Sequence, residues 1–196
     1  MRTVGVTGGI GSGKSLVCKI FSEIGIPVYH ADTAASHIMD KDPEIRRLLT
    51  ELLGEEAYTG NRLNRKKVAG IVFQNPDKLA KVQEIVHPAV FKDFGNWKGR
   101  HNDVPYLVHE AAILFESGAY KLMDIILNVY APARVRIQRI MVRDGLSEKE
   151  IRQRMGHQWP ESRRRSLSDF LIINDGKRML LPQVIKIHRK LLTEQF

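Results

Sequence analysis

The residues Gly8-Gly9-Ile10-Gly11-Ser12-Gly13-Lys14-Ser15 satisfy the pattern G-x-x-x-x-G-K-[ST] at every fixed position. Few folds accommodate such a run. Its backbone N–H groups must turn inward onto anionic oxygens, which requires glycine-type dihedrals and no Cβ in the way. It also needs a strand before it and a helix after it, and the neighbouring residues supply both. Thr3-Val4-Gly5-Val6-Thr7 is β-leaning, and beyond Lys14-Ser15 the apolar residues Leu16, Val17, Ile20, Phe21 and Ile24 recur at helical spacing. A helix N-terminus adds unpaired N–H groups and partial positive charge, both favourable to a phosphate. The backbone from Gly11 through Ser12, Gly13, Lys14 and Ser15 to Leu16 is therefore the expected cradle. Lys14 is set to reach the β/γ-phosphates and the Ser15 hydroxyl to ligate Mg²⁺. A dinucleotide fingerprint fails, because either frame puts Leu16 or Lys14 where a small residue must stand. The expected ligand is ATP with Mg²⁺.

Further strand signals fall at Val28-Tyr29, Val104 to His109, Ile125 to Val129 and Phe170 to Ile173. Helical patterns separate them, one over Ala133 to Arg143 and one over Leu180 to Leu192. Short apolar strands alternating with helices predict an α/β fold, a parallel sheet covered on both faces. From about Pro43 to Trp97 the pattern is helical with no strand signal of its own, interrupted at Gly60-Asn61-Arg62-Leu63 and bounded at His87-Pro88. That stretch reads as an insertion beside the sheet. Ser147-Glu148-Lys149-Glu150 is a capping box opening another helix.

The 196 residues suit one domain, with 43% hydrophobic and 27% charged content that excludes a disordered chain. No apolar run is long enough to span a membrane, and no export signal precedes the first strand. The single Cys18 excludes an intrachain disulfide and a cysteine zinc cage. The expectation is a reduced, cytoplasmic protein without membrane attachment. His109-Glu110-Ala111-Ala112-Ile113 begins like a zinc-protease motif, but Ile113 stands where the second ligand belongs.

The formal net charge is +9, and residues 130–196 hold most of the excess, with fifteen Lys and Arg against seven Asp and Glu. Arg136, Arg139 and Arg143 share one face of the 133–143 helix, where their mutual repulsion calls for an anion such as the triphosphate. Arg163-Arg164-Arg165 reads by default as a solvated charge run. Asp32 lies seventeen residues after Ser15, just past the second strand, where a carboxylate can aim an acceptor hydroxyl. The same residue equally suits a helix cap. His87 is a candidate for substrate contact, with a boundary role as its default. No N-K-x-D segment for guanine occurs, so a small kinase is the favoured class.

At this point the chain resembles the dephospho-coenzyme A kinase family. The shared pieces are the phosphate loop, Ala31-Asp32, Asn61-Arg62 leading to Val72-Phe73, His87-Pro88, Leu114-Phe115-Glu116, Arg139, Arg143-Asp144-Gly145-Leu146-Ser147, Gln158 and Ile173-Asn174. The resemblance implies a P-loop, nucleotide-kinase-like sheet flanked by helices. It also implies ATP-dependent phosphorylation of the ribose 3′-hydroxyl of dephospho-coenzyme A, with Lys14, Asp32 and Arg139 catalytic. Arg143 and Asn174 would contact ATP, Asn174 near the adenine, and Asp32 and His87 the acceptor. It implies a core over about 1–42, 98–138 and 161–196, a helical coenzyme A-binding part over about 43–97, and a lid over about 139–160. The chain departs from the family pattern at His30, where an aspartate is usual, and at Glu110, where an aspartate would hold a Mg²⁺-bound water. Ala112-Ile113 replaces Pro-Leu before Leu114.

The expected partners are ATP and dephospho-coenzyme A, with neither nucleic acid nor membrane, in a monomer or weak homo-oligomer. Two rivals stay open: a similar kinase with another small acceptor, and a nucleotide-gated nucleic-acid-binding protein that would account for the basic C-terminal third.

Overall fold

Along the chain run β1 (Arg2–Thr7), α1 (Lys14–Glu23), β2 (Val28–His30), α2 (Ala31–Lys41), α3 (Pro43–Leu53), β3 (Tyr58–Thr59), β4 (Arg62–Leu63), α4 (Arg65–Val72), α5 (Pro76–Lys98), β5 (Tyr106–Glu110), β6 (Ile125–Tyr130), α6 (Ala133–Asp144), α7 (Glu148–Gly156), α8 (Glu161–Ser166), β7 (Phe170–Ile173) and α9 (Leu180–Thr193). This computed structural model describes residues 1–72 and 74–193, so Phe73 of the resemblance lies outside the described residues. The elements sort into two compact units, Met1–His30 with the stretch from His101 onward, and Ala31–Arg100.

The first unit is built on a five-stranded sheet of order β2–β5–β1–β6–β7, parallel throughout. In a parallel sheet covered on both faces the central strands carry no polar side, and β5 and the last five residues of β1 are buried. Val17, Cys18 and Phe21 of α1 and Val184, Ile187 and Leu191 of α9 close one core with Val4, Val6, Tyr106, Leu127 and Ile172. Tyr106 meets Phe21 edge-on at 6.3 Å, and its hydroxyl pairs with His188 Nδ1 at 2.7 Å, so its polar tip is satisfied. At the outer edge, Gln183 of α9 accepts from Ile173 N–H and donates to Ile173 O, both at 2.9 Å. That occupies backbone groups an edge strand would otherwise expose. A second small core joins Ile137 and Ile140 of α6 to Ile151 of α7, with Ile10 packed against it.

The Ala31–Arg100 unit packs α2, α3 and α4 on the long α5. Asp42 caps α3 by accepting from Glu44 N–H at 2.9 Å and Ile45 N–H at 3.1 Å. Two expectations are corrected here. The stretch from 43 to 97 does contain strands, because β3 and β4 pair across Gly60-Asn61 with Gly60 at φ 58°. Two-residue strands are too short to leave a period-two signal. Nor does His87-Pro88 end a helix, since α5 runs through Pro88 to Lys98. Val86, Val90 and Phe94 lie four apart on its buried face, and their burial outweighs the one backbone hydrogen bond a proline removes.

Candidate active site

The phosphate loop leaves the C-terminal end of β1, the central strand, and runs directly into α1. Gly13, at φ 93°, occupies the cap position of α1, which no side chain caps. A residue with a side chain there would need a strained left-handed backbone, and its Cβ would lie on Asn174 Nδ2. Inside the loop, Ser12 N–H donates to Gly9 O at 2.9 Å, and Leu16 N–H to Gly13 O at 3.1 Å. Lys14 is buried, and its Nζ donates to Gly8 O at 3.0 Å, which brings the cation back across the loop.

Parallel register brings two further polar groups to this edge. β2 and β5 set His30 opposite Glu110, and β1 sets Val6 opposite Glu110 on the other side. Glu110 Oε1 accepts from Ser15 Oγ at 2.9 Å, and Oε2 pairs with His30 Nδ1. The two positions where the chain departs from the family's usual acids thus pair with each other. A hydroxyl beside a largely buried carboxylate is the hard oxygen donor set that Mg²⁺ favours.

The three arginines of α6 prove to have different surroundings. Arg136 is buried, donating through Nε to Ala131 O at 3.1 Å and through Nη1 to Ile10 O at 3.5 Å. Burial lowers its pKa from the ordinary arginine value, and the nearby Arg164 lowers it further. Arg139 donates through Nη2 to Asn174 Oδ1 at 3.2 Å, while its Nη1 is buried with no hydrogen-bond partner among the described residues. Arg143 is exposed and bidentate on Asp144, at 2.7 and 2.9 Å. One face of the helix therefore carries one arginine under the loop, one beside it and one paired in solvent.

Behind the loop stands a support that composition and periodicity did not reveal. Gln158 accepts from Ile10 N–H and donates to Ala112 O, both at 2.8 Å. Trp159 N–H donates to Glu116 Oε1 at 2.6 Å. The Trp159 ring stacks on Phe115 at 5.5 Å and carries the Arg163 guanidinium over it, 3.4 Å from the ring centroid. Glu116 and Phe115 of the resemblance are thereby explained as a latch for the residues after α7. Reading Arg163-Arg164-Arg165 as a solvated run needs correction, because Arg164 is 2% exposed. Its Nη2 donates to Glu161 Oε2 at 2.6 Å, and Asn128 Nδ2 donates to Glu161 Oε1 at 2.8 Å. A charge count cannot tell which of three adjacent arginines will be turned inward.

The structure thus brings Gly11 to Leu16, Arg139 and Asn174 together in the sheet unit. Asp32 and His87 belong to the helical unit. Asp32 is exposed in the first turn of α2, which follows β2 without a break, so the helix starts at Ala31, ahead of Asp32. His87 is partly buried, stacks on Phe91 at 6.1 Å, and has its pKa lowered by burial.

A parallel sheet with a phosphate loop after its central strand and arginines on a following helix defines a P-loop kinase. The fold agrees with the dephospho-CoA kinase of Campylobacter jejuni, with a TM-score of 0.71 at 23% identity over 97% of this chain and 98% of that one. The chain belongs to the dephospho-CoA kinase family, whose model matches residues 2–179. The curated dephospho-CoA kinase of Porphyromonas gingivalis is 40% identical over 197 residues, covering 100% of this chain and 96% of the relative. The solved structure of TT1252 from Thermus thermophilus gives a TM-score of 0.85 at 32% identity, covering 98% of each chain. The family's enzyme catalyses the last step of coenzyme A biosynthesis.

Proposed function

We propose that this chain transfers the γ-phosphoryl group of ATP to the ribose 3′-hydroxyl of dephospho-coenzyme A, releasing coenzyme A and ADP. The observation that carries this reading is the phosphate loop, with buried Lys14 folded across it and Arg139 held beside it, in a chain matched to the family over nearly its whole length. The backbone from Gly11 to Leu16 holds the β/γ-phosphates. Lys14 offsets their charge, and Arg139 meets the charge that develops on the transferred group. Asp32 orients the 3′-hydroxyl and takes its proton as the new O–P bond forms and the bond to the β-phosphate oxygen breaks. Ser15 would hold Mg²⁺ and Glu110 one of its waters, which fits their oxygen donors, and the ion would neutralise phosphate charge. His87 is read as an acceptor contact and Arg143 as an ATP contact after lid closure. Among the described residues no helix is long and apolar enough to cross a membrane. The reading carries with it a cytoplasmic location and small-molecule partners only.

Mixing pure protein, ATP, Mg²⁺ and dephospho-coenzyme A should release ADP, and omitting the acceptor should abolish that release. Equal ADP release without acceptor, or faster turnover on another alcohol, overturns the assignment. Asp32→Asn should lower kcat about 10²- to 10⁴-fold, the range for loss of a positioned acid or base, with ATP affinity little changed. Near-normal turnover in that variant would reduce Asp32 to a helix-terminal role.

A further inference from the structure

The side chain of Asn174 joins two parts of the site that lie far apart in the sequence, Ser12 and Arg139. It follows β7 directly, and its own N–H donates to Tyr130 O at 2.7 Å, which fixes its backbone to β6. It is buried. Its Nδ2 donates to Ser12 O, inside the phosphate loop, at 2.7 Å, and its Oδ1 accepts from Arg139 Nη2 at 3.2 Å. The space that a Cβ on Gly13 would fill is taken by that same Nδ2.

We propose that Asn174 is a positioning residue for phosphoryl transfer, setting the Arg139 guanidinium and the Ser12–Gly13 peptide in one fixed relation. The argument from the loop is geometric. Ser12 C=O and Gly13 N–H belong to one planar trans peptide and point in opposite directions. A hydrogen bond that anchors Ser12 O therefore also aims Gly13 N–H, one of the cradle donors. The argument from the arginine is that its guanidinium ends a long flexible side chain, whose reacting geometry must be pre-set to help in the transition state. Asn174 holds Nη2, so the direction of the guanidinium plane is set before any phosphate binds. The primary amide offers a donor to Ser12 and an acceptor to Arg139 at once, on two separate atoms. An aspartate would retain the acceptor and set a carboxylate against Ser12 O, and a leucine would retain neither.

This inference rests on the reading of Arg139 as the residue that meets the transferred group, and the experiment separates the two. Arg139→Ala, Asn174→Leu and the double variant are compared for kcat, for KM towards ATP, and for the ratio of rates with ATP and GTP. Asn174→Leu should lower kcat about ten- to a hundredfold, the scale of a small misplacement of a reacting group, with a smaller change in KM. In the Arg139→Ala background the same substitution should cost at most a few-fold further in kcat, because the two residues act as a unit. Asn174→Asp should fall between Asn174→Leu and the unaltered chain, and it serves if the leucine variant does not fold. Losses that simply multiply in the double variant overturn the positioning role and leave Arg139 intact. A normal rate in Arg139→Ala alone overturns the role of Arg139 and the positioning role with it. A raised KM for ATP and a relaxed ATP/GTP ratio at normal kcat would make Asn174 a base contact and sink the proposal.

Discussion

At the scale of single residues, the site is held by groups with little freedom. Lys14 is buried with its amine on Gly8 O, so its charge stands at the loop before any nucleotide arrives. Lys14→Ala should abolish turnover in the ADP-release assay, since nothing else buried in the loop carries positive charge. Gly13→Ala combines a strained φ with a Cβ placed on Asn174 Nδ2, and should lower the thermal unfolding midpoint as well as ATP affinity. His109 makes a prediction about the fold rather than the chemistry. It is buried on β5 and stacked on Tyr29 at 5.2 Å, and burial lowers its pKa from 6.5 to about 4. Between those values the unfolded chain binds a proton that the folded chain does not. Stability from this group is thus complete above about pH 6.5 and is lost as the pH falls towards 4, by up to about 3 kcal/mol. Denaturant unfolding of the nucleotide-free protein at several pH values should show that slope, and His109→Phe should flatten it.

At the scale of elements, the residues after α7 matter more than their composition suggests. Helix α7 begins on a full capping box at Ser147 and Glu150, as its sequence predicts. Its C-terminal side is fastened by Gln158 to Ile10 and by Trp159 to Phe115 and Glu116. Gln158→Leu removes the acceptor from Ile10 N–H. Hydrogen exchange at that amide should accelerate and KM for ATP should rise several-fold, while exchange in β1 stays unchanged. Equal exchange at Ile10 in the two proteins would show the Gln158 bond to be idle. The strands were legible at this scale because each is a short, mostly apolar, β-leaning run, the kind that a sheet covered on both faces calls for. The β3–β4 pair and the unbroken α5 were not legible. The first is too short for periodicity, and in the second tertiary burial of one helix face overrides a local proline signal.

At the scale of the whole molecule, the +9 charge is not one undifferentiated basic surface. Arg136 and Arg164 are buried behind the loop, and Arg139 is turned to Asn174. Part of the excess in the last third therefore faces the phosphate site rather than solvent, which weakens the case for nucleic acid that charge alone had left open. A ligand that binds only the folded state stabilises the whole chain by mass action. ATP with Mg²⁺ at a hundred times its Kd should add about 2.7 kcal/mol and raise the unfolding midpoint by several degrees. The same addition to Lys14→Ala should raise it far less, and a matching shift in both proteins would place the nucleotide away from the loop.

The sequence by itself determined the phosphate loop, the strands that carry it, the α7 cap and the family. The loop, the strands and the cap are written in contiguous residues, where glycine spacing, apolar runs and side chains three or four apart act locally, and the family in several such short pieces taken in order. Only the tertiary structure decided which arginine of each cluster is buried and which is in solvent. It also decided that His30 pairs with Glu110, and that Gln158 and Asn174 grip the loop from more than a hundred residues away. These outcomes depend on strand order and register, which bring distant side chains to one sheet edge. A guanidinium or an amide reads the same in a sequence whether it meets water or a backbone carbonyl.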